Sequence, residues 1–255
     1  MIISGASTAV FDLDGTLCFD GRSIDRRIVS AIESCERGGH RLVFASARPV
    51  RDMLPVLDGA FPEAILIGGN GSLVSVGGQV RARAAFTPTT LAALLEAVER
   101  HAATYLADGP WDYAYTGPAD HPILGRVDQG ALASRVDLTE LPQVVKFLVV
   151  GATDMPALAR AGRLLGTTVN HHLDEQIIDF APGTTNKWEA LSDLGITDYA
   201  AFGNDINDLD LLRNARHSVR VGTHPGLDGI ARVTVPAEPE AVAAQITLLA
   251  CGARA

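Results

Sequence analysis

Cysteine is scarce in this chain: Cys18, Cys35 and Cys251 are an odd set without C-x-x-C spacing among 255 residues. That excludes a disulfide framework and a thiolate zinc site, and it sets the expectation of a reducing, cytoplasmic setting. Positive charge is in deficit, with 21 Lys and Arg against 30 Asp and Glu and a formal charge of -9. Phosphate backbones reward a basic surface, so no nucleic-acid partner is expected. Long apolar runs are missing as well, and none reaches the ~20 residues that cross a bilayer. The first residues lack the basic start and apolar stretch of a secretion signal, so neither membrane nor export is expected. Asn70-Gly71-Ser72 is then an accidental match to a glycosylation acceptor. No G-x-G-x-x-G and no G-K-[ST] loop occurs, and Gly68-Gly69-Asn70-Gly71 stops short of the first, which argues against a nucleotide-binding module. No internal repeat or low-complexity segment stands out.

These deficits leave a small phosphorylated ligand open, because a metal ion and one or two cations reverse the sign of a site locally. What is present, 47% hydrophobic and 20% charged residues, describes an ordinary globular chain. Its length suits one large domain or two modest ones around a sizeable core.

The first third alternates strand and helix signals. Thr8-Ala9-Val10-Phe11 is an apolar strand, and Ile24, Ile28, Ile32 and Cys35 recur at helical spacing up to Gly38-Gly39. Strands at Arg41–Ala45 and Ala64–Ile67 flank a helix from Arg51 to Leu57. The βαβαβ order implies a parallel sheet. It resumes late, with short strands at Tyr199–Phe202, Ser218–Val221 and Val233–Val235. Between lie a hairpin around Gly77-Gly78, a helix from Thr87 to Ala103, strands at Asp112–Tyr115 and Lys146–Val150, and a helix near Pro156–Leu165. Gly117–Gly130 is irregular. The expected architecture is α/β: a Rossmann-like parallel-sheet core of residues 1–82 and 179–255, split by an inserted α+β domain of residues 83–178.

Asp12-Leu13-Asp14-Gly15-Thr16 directly follows the first strand. In an open parallel sheet, ligands bind at the carboxyl ends of the strands. Two carboxylates one residue apart repel unless a cation lies between them or one is protonated, and the pair suggests a hard divalent metal with oxygen ligands. One acid can attack an electrophile while the other moves protons. Three further features fall at strand ends or a helix start: Ser46 after Val43-Phe44-Ala45, Lys187 in Thr184-Thr185-Asn186-Lys187-Trp188, and Gly203-Asn204-Asp205-Ile206-Asn207-Asp208 after Phe202. Each alone reads as a turn residue, a surface lysine or a helix cap. Together and in order, they are what metal-assisted phosphoryl transfer needs.

Phe11-Asp12-Leu13-Asp14-Gly15-Thr16-Leu17, Ser46, Lys187 and the Gly203–Asp208 segment resemble the four ordered motifs of the haloacid dehalogenase superfamily. The large insert, Ser46-Ala47-Arg48-Pro49 and Ile67-Gly68-Gly69-Asn70-Gly71-Ser72 are similar to its C2-capped branch, which holds Cof-type sugar phosphatases, sucrose phosphatases and phosphomannomutases. The resemblance implies a core with a C2-type cap that chooses the substrate. It implies Asp12 as nucleophile forming an aspartyl-phosphate, Asp14 as acid and base, and Lys187 as a catalytic cation. Thr16, Ser46, Lys187 and Asn207 would hold the phosphate. Mg²⁺ would be held by Asp12, Asp14, Asn204 and Asp208. Asn204 stands where the family usually has Asp, which removes a charge from the metal set and leaves open whether Asp205 compensates. Ala47, Trp188 and Thr223-His224-Pro225 also depart from the usual pattern.

Arg48, Asn70 and Gly71 lie in strand-end loops and are candidates for substrate contact. In the insert, Trp111, Asp112, His121, Arg126, His171, His172 and Asp174 are candidates to read a sugar. Adjacent strand residues face opposite ways, so His171-His172 is no metal pair. The expected activity is a Mg²⁺-dependent phosphatase of a small phosphorylated metabolite, most simply a sugar phosphate. The alternatives are a hexose-phosphate mutase and a phospho-ligand-binding pseudo-enzyme. Oligomeric state is not legible in the sequence.

Overall fold

The computed structural model describes residues 8–172, 176–183 and 185–252. Chain order begins β1 (Thr8–Phe11), α1 (Arg26–Arg37), β2 (Arg41–Ala45), α2 (Val50–Leu57) and β3 (Ile65–Gly68), then the hairpin β4 (Leu73–Val76) and β5 (Gln79–Ala82). It continues with α3 (Pro88–Arg100), β6 (Thr104–Asp108), β7 (Tyr113–Tyr115), β8 (Lys146–Val150), α4 (Met155–Leu164), β9 (Thr168–His172) and β10 (Ile177–Ala181). It ends with α5 (Lys187–Asp193), β11 (Tyr199–Gly203), α6 (Leu209–Asn214), β12 (His217–Val221), β13 (Val233–Val235) and α7 (Pro239–Gly252).

The first sheet has the order β13-β12-β11-β1-β2-β3-β4-β5. Strands β13 through β3 run parallel and the hairpin is antiparallel. β1 is central and apolar on both faces, as a sheet covered by helices requires. Phe11 lies in register with Phe44 and Phe202, with ring centroids 5.9 and 5.2 Å away. On one face α1 buries Ile28, Ala31, Ile32 and Cys35 with Val242 and Ile246 of α7; on the other, α5 and α6 bury Ala190, Leu191, Leu211 and Leu212. α1 starts where the Asp25 side chain accepts from Arg27 N–H, as an N-cap does. β1 pairs with β2, the next strand in the chain, on one side and with the late strand β11 on the other, so the strand order reverses there and a crevice opens beyond the ends of these three strands.

The second sheet is antiparallel, with the order β7-β6-β8-β10-β9. One face packs Phe147, Val149, Ile178 and Phe180 on Leu94, Ala97 and Val98 of α3 and Leu158 and Ala159 of α4. Gly162 is needed there: a Cβ on it would lie 2.1 Å from the Phe180 ring. The period of two puts Asp108, Lys146, Leu148 and Asp179 on the opposite face. This face meets the first sheet through α2 and the loop before it. Arg51 donates to Asp108 at 2.5 Å and to the Trp111 carbonyl at 2.8 Å, Asp52 accepts from Asp128 N–H at 2.8 Å, and Lys146 Nζ donates to the Ala47 carbonyl at 2.9 Å.

The helix expected to reach Ala103 ends at Arg100, and β6 begins at Thr104. No Gly or Pro marks that break. Ala102 makes it by taking φ 46°, a conformation any L residue adopts only at a cost. The segment Gly117–Gly130 is irregular apart from a 3-10 turn at Pro122–Arg126.

Candidate active site

The crevice is built by chain that has just left an apolar strand. After Phe11 the backbone turns at once: Leu17 and Cys18 N–H both donate to the Leu13 carbonyl, and Gly15 sits at φ 77°. Gly15 has a second reason to lack a side chain, since a Cβ would lie 2.1 Å from the Asn204 side chain. The turn places Asp12, only 4% exposed, at the floor. Its Oδ2 accepts from Thr16 Oγ1 at 2.8 Å, and its Oδ1 accepts from Lys187 Nζ at 2.6 Å.

Lys187 is the first residue of α5, whose N-cap Asn186 accepts from Glu189 N–H. The Asn70-Gly71 turn is packed against this helix start: Gly71, at φ 100°, would put a Cβ 2.2 Å from the Asn186 carbonyl. The fully buried ammonium also donates to Asp208 Oδ1 at 2.7 Å. One buried cation thus serves two buried acids. Burial pushes the Asp12 carboxyl up to about 7, the Asp208 charge adds to the rise, and Lys187 opposes it. Burial works to lower the Lys187 ammonium, but Asp12 and Asp208 overcome it and hold the group above its usual range.

Asn204, after β11, lies over Asp12. With its nitrogen turned inward it donates to Asp12 Oδ2 at 3.0 Å, the Asp14 carbonyl at 3.0 Å and Thr16 Oγ1 at 3.1 Å. With its oxygen inward, Thr16 Oγ1 donates to it at 3.1 Å, and the amide oxygen faces Asp12 and the Asp14 carbonyl. The second orientation gathers three oxygens from separate positions, a set suited to a hard cation.

Ser46 directly follows β2 and is buried. Its N–H donates to the Ile67 carbonyl, its carbonyl accepts from Asn70 N–H, and its Oγ accepts from Arg48 N–H at 3.1 Å. Arg48 grips the Asp14 carboxylate with two bonds, Nε at 2.7 Å and Nη2 at 2.6 Å, and donates to the Gly21 carbonyl at 2.8 Å. Asp14 is therefore turned out of the crevice, its side chain 45% exposed.

The structure thus brings Asp12, Thr16, Lys187 and Asn204 into direct contact, with the Asp14 backbone among them. Asp208 stands behind: its Oδ1 serves Lys187, and its Oδ2 accepts from Asn204 and Asp205 N–H at 2.9 and 3.2 Å. Asn207 donates to Asn70 Oδ1 at 3.0 Å, and Asn70 holds φ 55°. Asp205 is turned away, accepting from Ile206 N–H and lying 3.3 Å from His224 Nε2. Among the candidates in the insert, Trp111 donates to the Leu132 carbonyl, Asp112 accepts from Ser134 N–H, and His121 caps the turn that ends at Arg126. Asp174 and the side chains of His171 and His172 lie outside the described residues.

Sequence reasoning missed Arg51, Asp108, Lys146 and Asp179, which join the two sheets beside the Ser46 loop. The only signal was charge leading or interrupting apolar strands, as in Lys146-Phe147-Leu148-Val149-Val150.

The family model for haloacid dehalogenase-like hydrolases matches residues 9–122. An HMP-PP phosphatase from Citrobacter koseri is 26% identical over 232 residues, 85% of this chain and 84% of that protein. A haloacid dehalogenase-like hydrolase from Bacteroides thetaiotaomicron superposes with a TM-score of 0.80 at 19% identity, over 96% of this chain and 100% of that one. A sugar phosphatase of HAD subclass IIB does so with a TM-score of 0.77 at 16% identity, over 95% and 99%. At such identities the two structures show a shared fold.

Proposed function

We propose that this chain, a phosphatase of the haloacid dehalogenase-like kind, frees phosphate from a small phosphorylated metabolite, a sugar phosphate, through an aspartyl-phosphate on Asp12. The observation that carries this reading is the Asp12 carboxylate, buried at a strand end and held by Thr16 on one oxygen and Lys187 on the other. Two such donors fix the carboxylate's direction and stand ready for the charge that develops on the phosphoryl oxygens. The sugar-phosphatase neighbour and the HMP-PP phosphatase relative support phosphoryl chemistry on a small substrate.

The oxygens present suit Mg²⁺. An octahedral ion at ~2.1 Å from its ligands spaces neighbouring oxygens about 3.0 Å apart, the spacing of the Asn204 amide from Asp12 Oδ2 and the Asp14 carbonyl. Asp12, the Asp14 backbone and Asn204 would hold the ion, with Asp208 bracing Asn204 from behind. When bound, Mg²⁺ supplies positive charge for the phosphoryl oxygens.

In the proposed cycle an Asp12 oxygen attacks phosphorus, the bond to the leaving oxygen breaks, and Asp14 gives that oxygen its proton. Asp14 then takes a proton from the water that attacks the aspartyl-phosphate, which returns Asp12 and releases phosphate. Asp14 must first part from Arg48, whose guanidinium is then free for a substrate oxygen. Thr16, Ser46 and Lys187 hold the phosphoryl group, and the insert acts as the cap that selects the leaving group, its sheet running past the expected bound at 178 to Ala181 because β10 pairs with β8 and β9. The setting we assign is the cytoplasm, in keeping with free Cys18, Cys35 and Cys251; among the described residues no helix is long and apolar enough to cross a membrane.

The test is phosphate release from a panel of phosphorylated sugars, polyols and nucleotides, with and without Mg²⁺, beside Asp12→Asn. Metal-dependent release that the variant lacks is expected. No release from any compound, or release that survives Asp12→Asn, would overturn the reading.

A further inference from the structure

We infer that Lys146 is a positioning residue for Ser46, acting across the two sheets through the Ala47–Arg48 peptide. Lys146 opens β8, on the face of the second sheet turned away from α3 and α4. Its ammonium donates to the Ala47 carbonyl at 2.9 Å. The N–H of that same peptide unit, on Arg48, donates to Ser46 Oγ at 3.1 Å. One hydrogen-bonded chain therefore runs from a charged donor, through a peptide, to the Ser46 hydroxyl. A charged donor polarises the peptide and strengthens the bond its N–H makes beyond.

The consequence for Ser46 is directional. Its oxygen is already an acceptor, so its single hydrogen is left to donate elsewhere. The Ser46 backbone cannot drift, because Ile67 and Asn70 hold its N–H and carbonyl. The hydroxyl is thereby set as a donor rather than a free rotor. Assigning its target as a phosphoryl oxygen rests on the function proposed above.

Lys146 is itself held. Asp179 Oδ2, diagonal to it on β10, lies 3.2 Å from Nζ. Asp179 is 2% exposed, and its Oδ1 has no hydrogen-bond partner among the described residues. A buried carboxylate with one oxygen unserved depends on its cation, and the pair is costly unless it holds something in place. What it holds is the Ala47 carbonyl. The inserted sheet thereby contributes to the phosphate-holding loop, so seating of the insert and shaping of the loop are one event.

The test is a double-mutant cycle on phosphate release. Ser46→Ala is expected to lower kcat/KM about 100-fold, as loss of one preorganised donor does. Lys146→Met is expected to lower it about tenfold with Ser46 present, since the donor remains but is no longer aimed. In the Ser46→Ala background Lys146→Met should change it less than about threefold, because there is nothing left to aim. Equal factors in the two backgrounds would overturn the inference and leave Lys146 a structural residue. If Lys146→Met does not fold, Lys146→Met with Asp179→Leu removes both buried charges and takes its place in the cycle. A second readout is independent of activity: Arg48 amide exchange should quicken in the Lys146 variant while β2 amides stay slow. Unchanged Arg48 exchange overturns the inference. If the wild type releases no phosphate, the phosphatase reading fails alone, and exchange still decides the role of Lys146.

Discussion

At the strand ends of the first sheet, one buried cation serves two buried acids: Lys187 lies 2.6 Å from Asp12 and 2.7 Å from Asp208. On the face of the second sheet turned to the first, Arg51 lies 2.5 Å from Asp108 and 3.5 Å from Asp52, and Lys146 lies 3.2 Å from Asp179. In this second region each cation also bonds a backbone carbonyl, Arg51 that of Trp111 and Lys146 that of Ala47, and these bonds lock two packed layers together. The first carries an excess acid, and it relieves the repulsion by drawing a proton to Asp12, whose carboxyl rises to about 7, or by taking in a cation. What the cations bond separates the two regions: carbonyls across two layers in one, and a pair of acids at a strand end in the other.

The largest expected effect breaks the reactive region while sparing the fold. Asp12→Asn keeps the shape and removes the charge, so turnover should fall by at least about 10³-fold with thermal unfolding no earlier than wild type. Near-full activity in a phosphate-release assay would remove the covalent route.

The second region should break the other way. Arg51→Leu leaves Asp108 buried without its cation and should cost about 3–5 kcal/mol of stability, measured by urea unfolding. Adding Asp108→Leu should recover most of it. If the double variant is as unstable as the single, the pair is not the lock described.

Asn204→Asp adds a carboxylate where the crevice has an amide. It should tighten Mg²⁺ about tenfold by titration calorimetry, since one more charge near the ion outweighs added repulsion at Asp12 once the ion is bound. An unchanged affinity would mean the amide is not a ligand.

A pH effect concerns Asp52, between the two regions. Burial pushes its carboxyl up to about 6, Arg51 opposes the rise, the Asp108 charge adds to it, and Asp128 N–H opposes it. A raised pKa in the fold gives stability that is full below the unfolded value of ~4 and is lost as pH rises through about 6. Wild type should therefore lose up to ~3 kcal/mol relative to Asp52→Asn between pH 4 and 7. Parallel Tm-against-pH curves would contradict this.

The two regions also differ in how far their sequence discloses them. Asp12, Ser46 and Asn204 each come directly after an apolar strand, so order along the chain was enough to gather them, and Lys187 was legible at a helix start. Arg51, Asp108, Lys146 and Asp179 lie within elements, far apart in sequence, and became partners only through the register of β6, β8 and β10. β6 itself was hidden because Ala102, with no glycine or proline, turns the chain. The sequence left Asp205 open as a substitute for Asn204, and the structure turns its carboxylate to Ile206 N–H and His224. No periodicity could show that Arg48 would take Asp14, since each alone reads as a loop residue.

The measurement that bears most directly on the reactive region is to quench turnover in acid with Mg²⁺ and substrate present, digest the protein and map the phosphoryl group. The expected result is phosphate on the peptide that carries Asp12, absent from Asp12→Asn. Turnover with no trapped phosphate, or phosphate mapped to another residue, would contradict the account.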